Sequence, residues 1–120
     1  MTKVKKQCAI KHCSSLVGAY RVDEANPTRF YSTHTGVELL IKRNDDRKHF
    51  LHAPYQLFVK PSGEGEFYYF SGMFPISPAD IGHDRQNEFR ISDIEKPTDA
   101  IRKPVAIVTV DMFNLTIKPC

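Results

Sequence analysis

Residues 55–74 read YQLFVKPSGEGEFYYFSGMF. Two aromatic-rich apolar runs, Tyr55–Lys60 and Phe67–Phe74, flank a loop with a proline, a serine and two glycines. Aromatic and β-branched side chains fit a pleated, half-buried surface, and Gly-rich clusters punctuate such runs, so the stretch predicts a strand, a turn and a second strand. In a strand, successive side chains point to opposite faces. Phe67 and Tyr69 therefore share one face of the second strand, and Tyr68 and Phe70 share the other. If one pair enters the core, the other is either covered by a second layer or left as an exposed face that binds something.

The loop between these strands does not read as a phosphate cradle. Glu64 and Glu66 repel an anion, and no Lys-Ser/Thr pair follows the glycines.

Moving outward, 120 residues with 41% hydrophobic and 26% charged content suit one soluble globular domain. No apolar run approaches bilayer-spanning length, and no apolar segment follows the N-terminal lysines, so the sequence predicts neither membrane association nor a secretory signal. Cys8, Cys13 and Cys120 are odd in number and few, which fits reduced thiols and a cytoplasmic protein. Charge is unevenly spread. Residues 1–22 carry Lys3, Lys5, Lys6, Lys11 and Arg21 without an acid, whereas residues 61–96 carry seven acids against three bases. A basic segment of this kind is an expected contact for an anionic partner.

Toward the N-terminus, Met1–Gln7 reads as a flexible basic arm, residues 8–120 as a single β-rich domain. Cys8–Ile10 reads as a short strand and Leu16–Val22 as a longer one, with Gly18 at a bulge or close approach. Asp23–Thr28 reads as a loop because Asn26-Pro27 is strong punctuation. Arg29–Thr35 and Val37–Lys42 read as extended, with Arg47–Pro54 pairing back across the Asn44-Asp45-Asp46 turn. Downstream, Ser77-Pro78 opens a helical turn stopped by Gly82. Phe89–Ile91 reads as a brief strand and Ser92–Glu95 as another helical turn. Val105–Asp111 is nearly continuous, as a strand covered on both faces is, and Leu115–Ile117 closes the chain. No segment sustains an apolar period of 3.6 over three turns. The expected fold is mainly β, a small antiparallel barrel or sandwich with one or two helical turns.

Chemistry is sparsely signalled. Cys8 and Cys13, with His12 between them, sit at the outer limit of a zinc-knuckle spacing, but a second ligand pair is missing. His34 lies among hydroxyls, and His49 and His52 are three apart, a spacing that separates them on a strand. His83, Asp84 and Glu88 form the best acid/base cluster and support a hydrolase as one alternative. The nucleophile elbow, the zinc-protease helix, the dinucleotide fingerprint and the nuclease Glu-x-Lys triplet are all absent. No cofactor is expected.

The leading expectation is a non-catalytic binding protein that contacts nucleic acid or a ribonucleoprotein. Lys3, Lys5, Lys6, Lys11, Lys42, Arg43, Arg47 and Lys48 are its phosphate contacts, and Phe67, Tyr68, Tyr69 and Phe70 its stacking rings. The alternative is a protein-binding inhibitor or adaptor, of the kind mobile elements carry, using the aromatic hairpin as a hot-spot patch or pairing edge, or as the contact of a homodimer.

Overall fold

The structure, a computed structural model, describes residues 10, 12–44, 53–76, 87–93, 99–111 and 113–119. Among these residues, eight strands form one closed antiparallel barrel in simple sequence order, each strand paired with the next and the last with the first. They are β1 (Gly18–Asp23), β2 (Asn26–Tyr31), β3 (Glu38–Arg43), β4 (Tyr55–Lys60), β5 (Tyr68–Pro75), β6 (Asn87–Ile91), β7 (Ala106–Val110) and β8 (Asn114–Pro119). Of the two β architectures expected, the barrel is the one found. Closure joins β1 to β8 through Gly18↔Ile117 to Arg21↔Asn114, so both terminal strands are paired on both sides.

The core follows the two-residue period. Leu39 of β3, Leu57 and Val59 of β4, Val108 of β7 and Leu115 and Ile117 of β8 are fully buried, and the residues between them face outward. The β4–β5 hairpin forms as read, joined by a loop in which Gly63 takes a φ of 84°. A bulge interrupts its ladder: Leu57 pairs with Ser71 and Phe58 with Tyr69, leaving Phe70 as the extra residue. Strand β5 is therefore divided. Phe70 to Phe74 are all buried, whereas Tyr68 and Tyr69 are only partly so. Met73 joins the barrel core, while Phe74 packs outside it against Ala53 and Ala100. Ala100 belongs to a single helical turn, α1 (Asp99–Arg102). The second layer considered from the sequence thus covers one half of this strand and not the other.

A 3-10 helix, Cys13–Leu16, precedes β1 and closes one end of the barrel. Cys13 and Leu16 are buried in the main core. The Cys13 N–H donates to Asp93 Oδ1 at 2.9 Å, its thiol donates to the Ser92 carbonyl at 3.1 Å, and the Tyr20 hydroxyl donates to the Leu16 carbonyl at 2.7 Å. Ser92 is held in turn by its N–H donating to Ser71 Oγ at 3.0 Å. These bonds satisfy the backbone groups that a plug would otherwise strand in an apolar interior.

Several local readings are corrected. Asn26 and Pro27 open β2 instead of lying in a loop, because a proline is tolerated at the start of a strand, before its N–H is needed. The extended run from Arg29 ends at Tyr31; Ser32–Gly36 is a turn whose Gly36 has a φ of 79°. Strand β7 has one core face, Ala106 and Val108, with Ile107 and Thr109 half-buried outside. Ile10, the one described residue of the expected Cys8–Ile10 strand, packs against the core without strand pairing. The helical turn found at Asp99–Arg102 follows Pro97. The helical turn read at Ser77–Gly82, residues 94–95 of the Ser92–Glu95 turn, residues 47–52 of the returning Arg47–Pro54 segment and the Met1–Gln7 arm lie outside the described residues.

Candidate functional site

Outward-facing positions of β2 to β5 assemble one surface. Register places Arg29 opposite Leu40, Leu40 opposite Phe58 and Phe58 opposite Tyr69, a row across four strands. The next step along brings Glu38 opposite Lys60, and the step on the other side brings Lys42 opposite Gln56. Alternation puts these side chains outside the barrel while Leu39, Leu57 and Val59 fill the inside.

Aromatic rings and cations interleave on this surface. Phe58 and Tyr69 meet edge to face, with ring centres 5.7 Å apart and planes at 72°. The Lys42 ammonium lies 4.9 Å from the Phe58 ring centre. At the lower edge, Phe67 lies beneath two cations, the Arg29 guanidinium at 5.2 Å and the Lys60 ammonium at 5.8 Å. Glu38 joins those two cations, accepting from Arg29 Nη2 and from Lys60 Nζ, the latter at 2.9 Å. Burial alone works to raise the Glu38 carboxyl. The hydrogen bonds and charges of Lys60 and Arg29 outweigh it and hold the carboxyl below its ordinary value of 4.5.

Such contacts are weak individually. A cation over an exposed ring contributes about 0.5–1 kcal/mol and a surface ion pair about 0–1 kcal/mol. They hold side chains in place without sealing the rings, since Phe58, Phe67 and Tyr69 stay half-buried.

The expected site residues separate accordingly. Lys42, Phe67 and Tyr69 lie on this face. Arg43 is exposed but sits one position on from Lys42, so it does not share the outward face. Tyr68 turns toward the core and its hydroxyl donates to Glu64 at 3.1 Å. Phe70 is corrected: it lies on the inward face with Tyr68, opposite Tyr69, is fully buried in the barrel core, and cannot stack on a partner. The hairpin expected as a pairing edge lies within the barrel sheet. Strand β4 lies between β3 and β5, and β5 is joined to β6 at Phe74 and Pro75. Lys3, Lys5, Lys6, Lys11, Arg47 and Lys48 lie outside the described residues.

Sequence reasoning missed Arg29, Glu38, Phe58 and Lys60. Part of their signal was present in the parity of Glu38–Lys42 and Tyr55–Lys60, where Glu38, Lys42, Gln56, Phe58 and Lys60 alternate with the aliphatic Leu39, Ile41, Leu57 and Val59, with Leu40 and Tyr55 breaking the pattern. It became informative only once the register had put the two strands side by side.

The other candidate chemistries find different roles. Ser32 Oγ accepts the backbone N–H groups of His34 and Thr35, each at 3.2 Å, so this hydroxyl stabilises the turn. His12 faces Asp93, Nδ1 to Oδ2 at 3.2 Å. Among the described residues no three His, Cys, Asp or Glu side chains converge as a metal site, and no helix is long and apolar enough to cross a membrane. Cys8, Cys120, His49, His52, His83 and Asp84 lie outside the described residues. Compared with family models, curated proteins and solved structures, the chain matches none.

Proposed function

We propose that this protein is a non-catalytic module that binds single-stranded nucleic acid across the outer face of β2–β5. The observation that supports this reading is the interleaving of Lys42, Arg29 and Lys60 with the half-exposed rings of Phe58 and Phe67. Unpaired bases stack on aromatic rings, and cations beside those rings neutralise the phosphates. Magnitudes favour the exchange. Lifting a cation from its ring costs about 0.5–1 kcal/mol, whereas a stacked base returns about 1–3 kcal/mol. Lys42 meets phosphate from the upper part of the face; Arg29 and Lys60 do so from the lower part, with Glu38 moderating their charge. The N-terminal lysines extend the basic contact, and the reduced-thiol reading of the cysteines puts the protein in the cytoplasm.

Fluorescence anisotropy with a labelled single-stranded oligonucleotide and the matching duplex tests this. The single strand binds more tightly, because only its bases can leave the stack for Phe58 and Phe67. Equal affinity for both would refute the stacking role. A protein partner on the same face would leave the oligonucleotide unbound.

A further inference from the structure

Among the described residues, the 3-10 helix plugs one end of the barrel and no element plugs the other. At the end opposite the 3-10 helix, the starts of β2, β4 and β6 and the ends of β3, β5 and β7 surround a cavity of about 450 Å³. This lies within the range of small-molecule sites, and the mouths of β-barrels are among the places where such sites occur. The described wall is apolar: Phe30 and Ile41 on one side, Phe89 and Val110 on the other. Beneath it the interior is filled, with Leu57 and Phe70 fully buried, so among the described residues the cavity is a cup that does not run through the barrel.

The lining indicates what such a cup takes. Among its described lining residues none is charged, and Thr28 and Tyr55 are the two with polar side chains. Thr28 already donates its hydroxyl hydrogen to Asn26 Oδ1 at 2.6 Å, leaving its oxygen as an acceptor. Tyr55 stands edge-on to Phe89, ring centres 5.5 Å apart, which sets a rigid aromatic corner at the entrance. An ion entering here would lose hydration and meet no counter-charge from these residues. We propose that the barrel mouth binds a neutral, predominantly apolar small molecule, with any single polar group of that molecule held at the Thr28 and Tyr55 rim. The site is independent of the outer face, where Phe58 and Lys42 point away from the interior.

The test is a titration of the full chain with the neutral fluorescent probe N-phenyl-1-naphthylamine, followed by displacement with decan-1-ol or with decanoate. Thr28→Trp fills the cup from an exposed rim position that the fold does not need. Val110→Phe fills it from the wall, and thermal melts verify that both variants are folded. The expected result is one saturable site, weakened about ten-fold or more by either variant and unchanged in Lys42→Ala, with decan-1-ol displacing the probe at least about ten-fold better than decanoate. Absence of saturable binding, or binding indifferent to Thr28→Trp and Val110→Phe, would overturn the proposal. Equal displacement by decanoate would overturn the neutral class of ligand. A dimer in sedimentation that Thr28→Trp abolishes would show that a second copy of the chain is the occupant instead.

Discussion

Lys42 and Phe58 sit on adjacent strands with the lysine ammonium 4.9 Å from the centre of the ring. They are not directly opposite in register: Lys42 pairs with Gln56 and Leu40 with Phe58. The lysine therefore reaches diagonally across the ladder, burying part of its stem and keeping its charge at the surface. A ring and a cation arranged in this way form the smallest unit of a face that receives a base and its phosphate together.

Removing either member has separable effects. Phe58→Ala is expected to weaken single-strand binding by about ten-fold or more, since a stacked base is worth about 1–3 kcal/mol. Tyr69→Ala weakens it less, because Tyr69 meets Phe58 edge-on and supports it. Both variants stay folded by thermal melt. Phe70→Ala behaves oppositely and loses about 3–5 kcal/mol of stability in denaturant unfolding, as truncation of a buried phenylalanine does. Equal stability losses at Tyr69 and Phe70 would remove the distinction between the two sides of the bulge.

That distinction marks the limit of the sequence. Strand and turn assignments around Tyr55–Phe74 were legible because aromatic content and Gly63 act locally. So were Val105–Asp111 and Leu115–Ile117, from β-branched density and the Asn114 turn. The faces of Phe67–Phe70 were assigned by strict alternation, and it predicts correctly that Tyr69 opposes Tyr68 and Phe70. It could not give the bulge at Phe70, which depends on pairing with Leu57 and Phe58 and is a non-local event. Barrel closure through Gly18↔Ile117 is likewise long-range, so barrel and sandwich stayed equivalent. Arg29 and Lys60 are far apart in sequence and become one cluster only through β3, where Glu38 lies between them.

Glu38 gives a prediction whose sign is opposite to that of the cations. Its carboxyl neutralises part of Arg29 and Lys60, so Glu38→Gln is expected to raise affinity for a single strand by a few-fold, about 0.5–1 kcal/mol. Anisotropy at low salt reads it. A loss of affinity would mean that the carboxylate positions the cations more than it screens them.

Acid stability follows from Glu38 and Asp93. Burial works to raise the Asp93 carboxyl, but the Cys13 backbone N–H and His12 outweigh it and hold it below the ordinary 3.8. A carboxyl lowered on folding contributes stability that is complete above its unfolded value and lost as pH falls through its folded one. Stability is therefore expected to fall below about pH 4.5, the ordinary value for Glu38, and further below 3.8. Asp93→Ala, which also frees the 3-10 helix, costs about 1–2 kcal/mol, a modest figure because the Asp93 side chain is 41% exposed. Urea melts across this range check both. An acid slope unchanged in Glu38→Gln and Asp93→Asn would contradict the assignment.

At the alkaline end, burial pushes the Tyr20 hydroxyl up to about 12. One of the five tyrosines is thus expected to ionise near pH 12 in difference absorbance, and Tyr20→Phe removes that step. Because the folded value is raised, stability is full below about pH 10 and declines between 10 and 12. Tyr20→Phe also strands the Leu16 carbonyl and costs about 1–2 kcal/mol at neutral pH. A neutral-pH melt identical to wild type would show that this bond does not hold the plug.

The salt dependence of single-strand binding bears most directly on the proposed function. For a single strand, log K falls with log salt by about 0.7 per neutralised phosphate. Measured by anisotropy across a salt series, wild type is expected to give a straight line whose slope shrinks by about 0.7 in Lys42→Ala and further when Lys3, Lys5 and Lys6 are also replaced. No binding at low salt, or a slope that Lys42→Ala leaves untouched, would contradict it.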